Sequence, residues 1–197
     1  MTFTFNKNLN VKLFYPLKNK KIILKKETKV VKIFLCGPTV YDSIHFGHAR
    51  FLLFFDLVYR VFKLSNIKPI IAVNIADIDP KISERAKKSK VNYSSIVDKN
   101  FKEFLSICKK LSIDKSFMYV KVSDYISEAI KLIKFLLEKK MAYYSLGNVY
   151  LRVENTPLGK ISNLKKEDFN DLRFDIHPGK QNIEDILLWN STEVFEK

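Results

Sequence analysis

The sequence predicts an α/β protein built on parallel strands. Three observations carry this prediction. A short β-branched run, "KVVKIFLCG" (29–37), ends in Gly-Pro. A second run, "KPIIAVNIAD" (68–77), has the same character. Between them, Ala49 to Leu64 ("ARFLLFFDLVYRVFKL") is apolar nearly all round, which predicts a helix buried between layers. Strand, helix, strand in this order is a βαβ unit, and its crossover connection makes the two strands parallel.

Residues 1–28 precede that unit. They are lysine-rich with short apolar pairs and are predicted as a loose strand or hairpin. After the unit, Ser95 to Leu111 places Ile96, Val97, Phe101, Phe104, Leu105, Cys108 and Leu111 on a helical stripe. Ser95 followed by Asp98 reads as a capping box. Cys108 lies in the stripe and is expected in the core. Ser123 to Lys140 predicts a second amphipathic helix, with Ile126, Ile130, Ile133 and Leu137 inward. "MAYYSLGNVYLRV" holds two β-rich runs around Leu-Gly-Asn, a hairpin signal. The tail, with "TPLGKIS" and "IHPGKQN", is loop-rich and closes on "DILLWN".

Composition narrows the class. Of 197 residues, 47% are hydrophobic, which suits a packed globular chain and excludes a disordered one. The net charge is +14, and a basic surface suits a polyanion such as RNA. Only five of the 35 basic residues are Arg, so AT-rich coding is a competing source of that charge. The opening "MTFTFNKNLN" has no apolar signal region, and the run "FLLFFDLVYRVF" is broken by Asp56 and Arg60. A cytoplasmic protein with no membrane segment is expected. Cys36 and Cys108 match no metal or disulfide spacing between them.

The chemistry concentrates in "CGPTVYDSIHFGHAR", from Cys36 to Arg50. It stands where the first strand ends and the first helix begins. In a doubly wound sheet ligands bind at that edge. Amides at a helix N-terminus favour anions. Gly47 leaves the backbone bare for a ring or phosphate, and His45 and His48 can donate hydrogen bonds to phosphate oxygens. Taken alone, a His-x-x-His could equally be two helix-start residues or half a metal site. No GxGxxG or GxxxxGK loop occurs.

This stretch resembles the signature of cysteinyl-tRNA synthetases, class I enzymes with a His-Ile-Gly-His motif, here with Phe46 in place of Ile. "NIADIDPKI" (74–82) resembles the family's Asn-Ile-Thr-Asp-Ile-Asp-Asp-Lys-Ile, with Ala76 and Pro80 departing from it. "TPLGKIS" and "DILLWN" echo later family segments. The resemblance implies the first half of a class I Rossmann-like nucleotide-binding domain (29–122) and the start of an inserted connective domain (123–197).

It also implies a reaction. ATP, as its Mg2+ complex, and L-cysteine give cysteinyl-adenylate and pyrophosphate, and the cysteinyl group then passes to tRNA(Cys). His45 and His48 are the implied donors to the developing phosphate charge. The implied ATP-binding motif runs from Pro38 to His48 and includes Thr39 and Gly47. Gly37, Thr39, Tyr41 and Asp42 shape the implied substrate pocket. Asn74, Asp77 and Asp79 stand beside it, and a capping or turn role is their alternative reading. Cys36 matches the family's first Zn2+ ligand, which would grip the substrate thiolate.

The family's other zinc ligands come after the segment that matches "DILLWN", and only Glu193 and Glu196 follow Trp189 as acidic residues here. The second half of the nucleotide-binding fold, the Lys-Met-Ser-Lys-Ser loop and the anticodon-binding domain are likewise expected to be absent. The resemblance thus implies an amino-terminal portion, inactive and weak in zinc binding by itself, that needs a complementary C-terminal half; the complete enzyme is expected to be a monomer. Ala76, Pro80, and Ile183 in place of a usual Pro favour an alternative, a non-catalytic remnant or basic RNA-binding module. A ligase joining cysteine to an amino sugar shares the thiolate logic and is the third reading.

Overall fold

β3 (Val30–Thr39) and β4 (Lys68–Ala76) alternate between a covered face and a more open one. They pair in parallel, from Val30 opposite Lys68 to Cys36 opposite Asn74. β5 (Met118–Lys121) joins β4 in parallel on its other side, giving the order β3-β4-β5. α1 (Phe46–Leu64) connects the first pair, and α2 (Pro80–Ser89) and α3 (Tyr93–Lys110) connect the second. The computed structural model that shows this arrangement describes residues 11–15, 18–24, 27–156 and 177–191.

One core explains the topology. Leu35, Ile71, Val73 and Ile75 from the sheet pack with Leu52 and Tyr59 of α1 and with Ile96, Phe104 and Cys108 of α3. Both crossovers therefore lie on the same face, as successive right-handed connections in one direction require. Phe34 alternates to the other face and is 74% exposed. Cys108 is buried, as its place in the stripe predicts.

α1 differs from expectation. It was predicted to be buried all round, yet Leu53, Phe54, Leu57 and Leu64 are exposed while Leu52, Asp56, Tyr59 and Phe62 are buried. The reason is that α1 and α3 pack on one face of this sheet, so α1 has one buried side. Asp56 is tolerated inside because its carboxylate accepts from Arg60 Nε at 2.6 Å and from the Asp114 amide at 2.8 Å. α3 also begins earlier than predicted. Asn92 is its N-cap, with no side-chain cap bond, and Ser95 lies inside the first turn, so the Ser95–Asp98 capping box does not form. α2 and β5 are elements that apolar patterning does not disclose. α2 buries only Ile82, and β5 is four residues long.

The described chain divides into two compact units, the first of which contains Ile22–Tyr125. The second includes everything from Ile126 onward. In it, α4 (Ile126–Glu138) keeps Ile126, Ile130, Ile133 and Leu137 half-buried. β6 (Ala142–Ser145), β7 (Asn148–Leu151) and β8 (Ile186–Trp189) form an antiparallel sheet. The β6–β7 turn has positive φ at both Leu146 (48°) and Gly147 (83°), the twist a two-residue hairpin favours. Separately, β1 (Lys12–Tyr15) and β2 (Lys20–Ile23) form a two-stranded sheet. The expected loops over 157–162, and Glu193 and Glu196, lie outside the described residues.

The β3–β4 register breaks between Cys36 and Thr39. In the break, the Gly37 N–H donates to Oδ1 of Asn74 at 2.8 Å, and the Val40 N–H then donates to the Ala76 carbonyl at 3.1 Å. A Cβ on Gly37 would stand 1.9 Å from the Asn74 carbonyl oxygen, which is backbone and cannot swing aside. Gly37→Ala should therefore cost about 3 kcal/mol, seen as a Tm lowered by roughly 6–12 °C. A shift of less than about 2 °C would show that β3 moves away from β4 without strain.

Candidate active site

The parallel arrangement brings the carboxyl ends of β3, β4 and β5 to one edge. The stretch from Cys36 to His48 leaves that edge from β3 and enters α1. Cys36 is exposed, while Pro38 is buried and Gly37 and Thr39 are partly covered. Tyr41 and Asp42 are exposed in the turn that follows. Lys81 of α2 lies over the Tyr41 ring at 5.7 Å, and Arg85 stands 3.7 Å from the Asp42 carboxylate.

His45 and His48 cap α1 reciprocally. His45 is the N-cap, and its Nδ1 accepts from the Gly47 amide at 3.1 Å. His48 Nδ1 accepts from the His45 amide at 3.3 Å. The rings lie 4.0 Å apart. A ring nitrogen that accepts from an amide carries no proton, so in the neutral rings both protons are assigned to Nε2. The cap thereby leaves two Nε2–H donors at the positive end of a 19-residue helix with no acidic residue in its first turn. Gly47 serves this cap. A Cβ there would meet His45 Cε1 at 2.8 Å, so the bare backbone accommodates His45's own ring.

The three polar residues at the end of β4 are engaged within the protein. Asn74 Oδ1 holds the Gly37 amide. Asp77 is buried, and its two oxygens accept from the Ser123 amide and hydroxyl, which fastens the turn after β5. Asp79 Oδ1 accepts from the Lys81 amide and caps α2. Of the three only Asp79 caps a helix, while the bonds of Asn74 and Asp77 tie the ends of the three strands together. No spacing in the sequence discloses Ser123 or Asn100, which donates to the Val40 carbonyl at 3.0 Å from inside the core.

Zinc fits poorly here. Among the described residues, no group of three or more His, Cys, Asp or Glu could hold a metal ion. Cys36 stands as a single thiol, whereas zinc sites use three or four protein ligands.

The first strand of the parallel sheet runs through a turn into a histidine-capped helix, and the fold is that of class I aminoacyl-tRNA synthetases. A methionyl-tRNA synthetase from Mycobacterium tuberculosis, solved in complex with methionyl-adenylate, shares this fold at a TM-score of 0.55. That match has 19% identity and covers 65% of this chain and 26% of the synthetase. Residues 22–196 match the family model of the tRNA synthetases class I (C) catalytic domain, and the chain belongs to that family. Curated relatives include cysteine–tRNA ligases of Methanococcus maripaludis, 35% identical over 170 residues, and of Pelagibacter ubique, 34% identical over 193. The chain spans 36% of the first relative's length and 42% of the second's, while 85% and 94% of the chain are covered.

The cap makes the site sensitive to acid. Burial, and next the charge of His45, hold the His48 imidazole below its ordinary 6.5. The folded chain therefore binds fewer protons than the unfolded one between that lowered value and 6.5. This contribution to stability is complete above 6.5 and is lost as pH falls through the lowered value. Protonation of Nδ1 also places a donor against the amide it should accept from. An NMR titration of the imidazoles from about pH 8 to pH 5 should show His48 titrating below 6.5, with weakening of the first-turn amides of α1 alongside it. Titration at or above 6.5 would contradict that burial.

Proposed function

We propose that this chain forms the part of a cysteine–tRNA ligase that receives ATP and cysteine at the carboxyl end of its parallel sheet. The observation that carries the reading is the reciprocal cap, which engages both Nδ1 atoms and leaves the two Nε2 atoms for donation at a helix N-terminus. In this reading cysteine's carboxylate attacks the α-phosphate of Mg2+-bound ATP. A P–O bond forms, the bond to pyrophosphate breaks, and cysteinyl-adenylate results. Negative charge grows on the phosphate oxygens, where His45 and His48 donate hydrogen bonds without first having to reorganise. Thr39, Gly47 and the helix amides border the same space, and Tyr41 and Asp42 line the turn beside it.

Asn74, Asp77 and Asp79 hold the frame of that pocket, consistent with the bonds they make. Cys36 faces outward from β3, where its thiol suits a soft metal or the substrate's sulfur. The described residues do not complete a zinc site, so the proposed chemistry depends on the histidines and the helix. The net charge of +14 supports a tRNA partner through phosphate contacts. No helix among the described residues is long and apolar enough to cross a membrane. Work in the cytoplasm belongs to the same proposal. The unit from Ile126 onward is proposed as the start of the inserted connective domain.

Cysteine-dependent exchange of pyrophosphate into ATP tests the reading. The assay uses a protein in which this chain is joined to the remaining length of its relatives. His48→Ala should lower the exchange rate by roughly 100- to 1,000-fold, the loss expected for one transition-state donor. Cys36→Ser should act mainly on the cysteine concentration needed. Exchange unchanged by His48→Ala would assign the histidine pair to helix capping alone.

A further inference from the structure

The turn from Val40 to Ile44 sets where α1 begins, and contacts to four of its residues come from α2 and α3. Asn100 of α3 is buried, with 8% of its surface exposed, and its Nδ2 donates to the Val40 carbonyl at 3.0 Å. Glu103, one turn further along the same face, accepts from the Ser43 hydroxyl at 3.0 Å. From α2, Lys81 and Arg85 lie four residues apart and reach Tyr41 and Asp42. The pattern uses helical spacing twice to grip one short turn. Asn100 is the only one of the four that is buried, and removing a buried donor leaves the Val40 carbonyl without its partner.

We propose that Asn100, supported by Glu103, is a positioning residue: it holds the Val40–Ile44 turn so that His45 and His48 form their reciprocal cap and face the phosphates. The inference rests on the phosphate reading of that pair only for its functional meaning. The geometric coupling stands on the hydrogen bonds themselves. Asn100 touches no histidine. It acts through the backbone of the turn, and the histidines respond.

The test uses this chain without nucleotide, so its result is distinguishable from any failure to bind or react with ATP. Asn100→Leu keeps the branching at Cγ and removes the donor. Amide exchange at Gly47 and His48 should then speed up by at least about tenfold, while amides from Leu52 to Phe62 keep their protection. In the same sample the His48 titration should move up toward 6.5, because an opened cap relieves its burial. Glu103→Ala should give a smaller change of the same kind, and Glu103→Gln, which can still accept from Ser43, should restore the original behaviour. If Asn100→Leu does not fold, the exposed Glu103–Ser43 contact supplies the same readouts. Unchanged exchange and titration at His48 would overturn the proposal. So would a parallel loss of protection along all of α1, which would assign Asn100 to the general core.

Discussion

The hydrogen bond from the Gly37 amide to Oδ1 of Asn74 decides how β3 ends, and the site depends on that ending. Two parallel strands in register would carry Cys36 onward along β4. The ladder instead breaks after Cys36, and a broken ladder leaves an amide to be satisfied. Asn74 satisfies it from the neighbouring strand. Close approach of the Asn74 carbonyl then makes glycine obligatory at 37. Beyond the break the chain rejoins at Val40, and the turn follows at a fixed distance from the sheet edge. Similar bonds repeat along that edge, from Ser123 to Asp77 and from Asn100 to Val40. Buried polar contacts of this kind are strong when fully paired, which suits a frame that must not drift.

Much of this was legible from residues alone. The β-branched runs announce β3 and β4, because β-branched residues favour strands and the face they turn to the core is apolar. The Cys36–His48 stretch stands out because thiol, turn residues and histidines crowd one strand-to-helix junction. Other features were not legible, for physical reasons. α2 is charged along most of its length and buries one isoleucine, so its periodicity is faint. β5 is short and rests on pairing with β4, a long-range contact. The exposed side of α1 depends on which sheet face carries helices. The start of α3 at Tyr93 follows the N-cap at Asn92, although the Ser95–Asp98 spacing imitates a cap.

The site residues divide in the same way. Candidates proposed to act through their own chemistry, His45 and His48, could be named from their position. The division of labour among Asn74, Asp77 and Asp79 could not, since each depends on a partner far away in sequence or on local cap geometry. Asn100 carries no motif at all. It becomes visible only when the fold brings it under Val40.

The central claim is that the capped N-terminus of α1 faces nucleotide phosphates. Titrating Mg2+-ATP into the isotope-labelled chain and following backbone amides tests it most directly. The account predicts that the largest shifts fall on Thr39, His45, Gly47 and His48, and that Gly47→Ala, which displaces the His45 ring, removes them. Shifts confined to other regions, or a saturable binding signal that Gly47→Ala leaves intact, would contradict it.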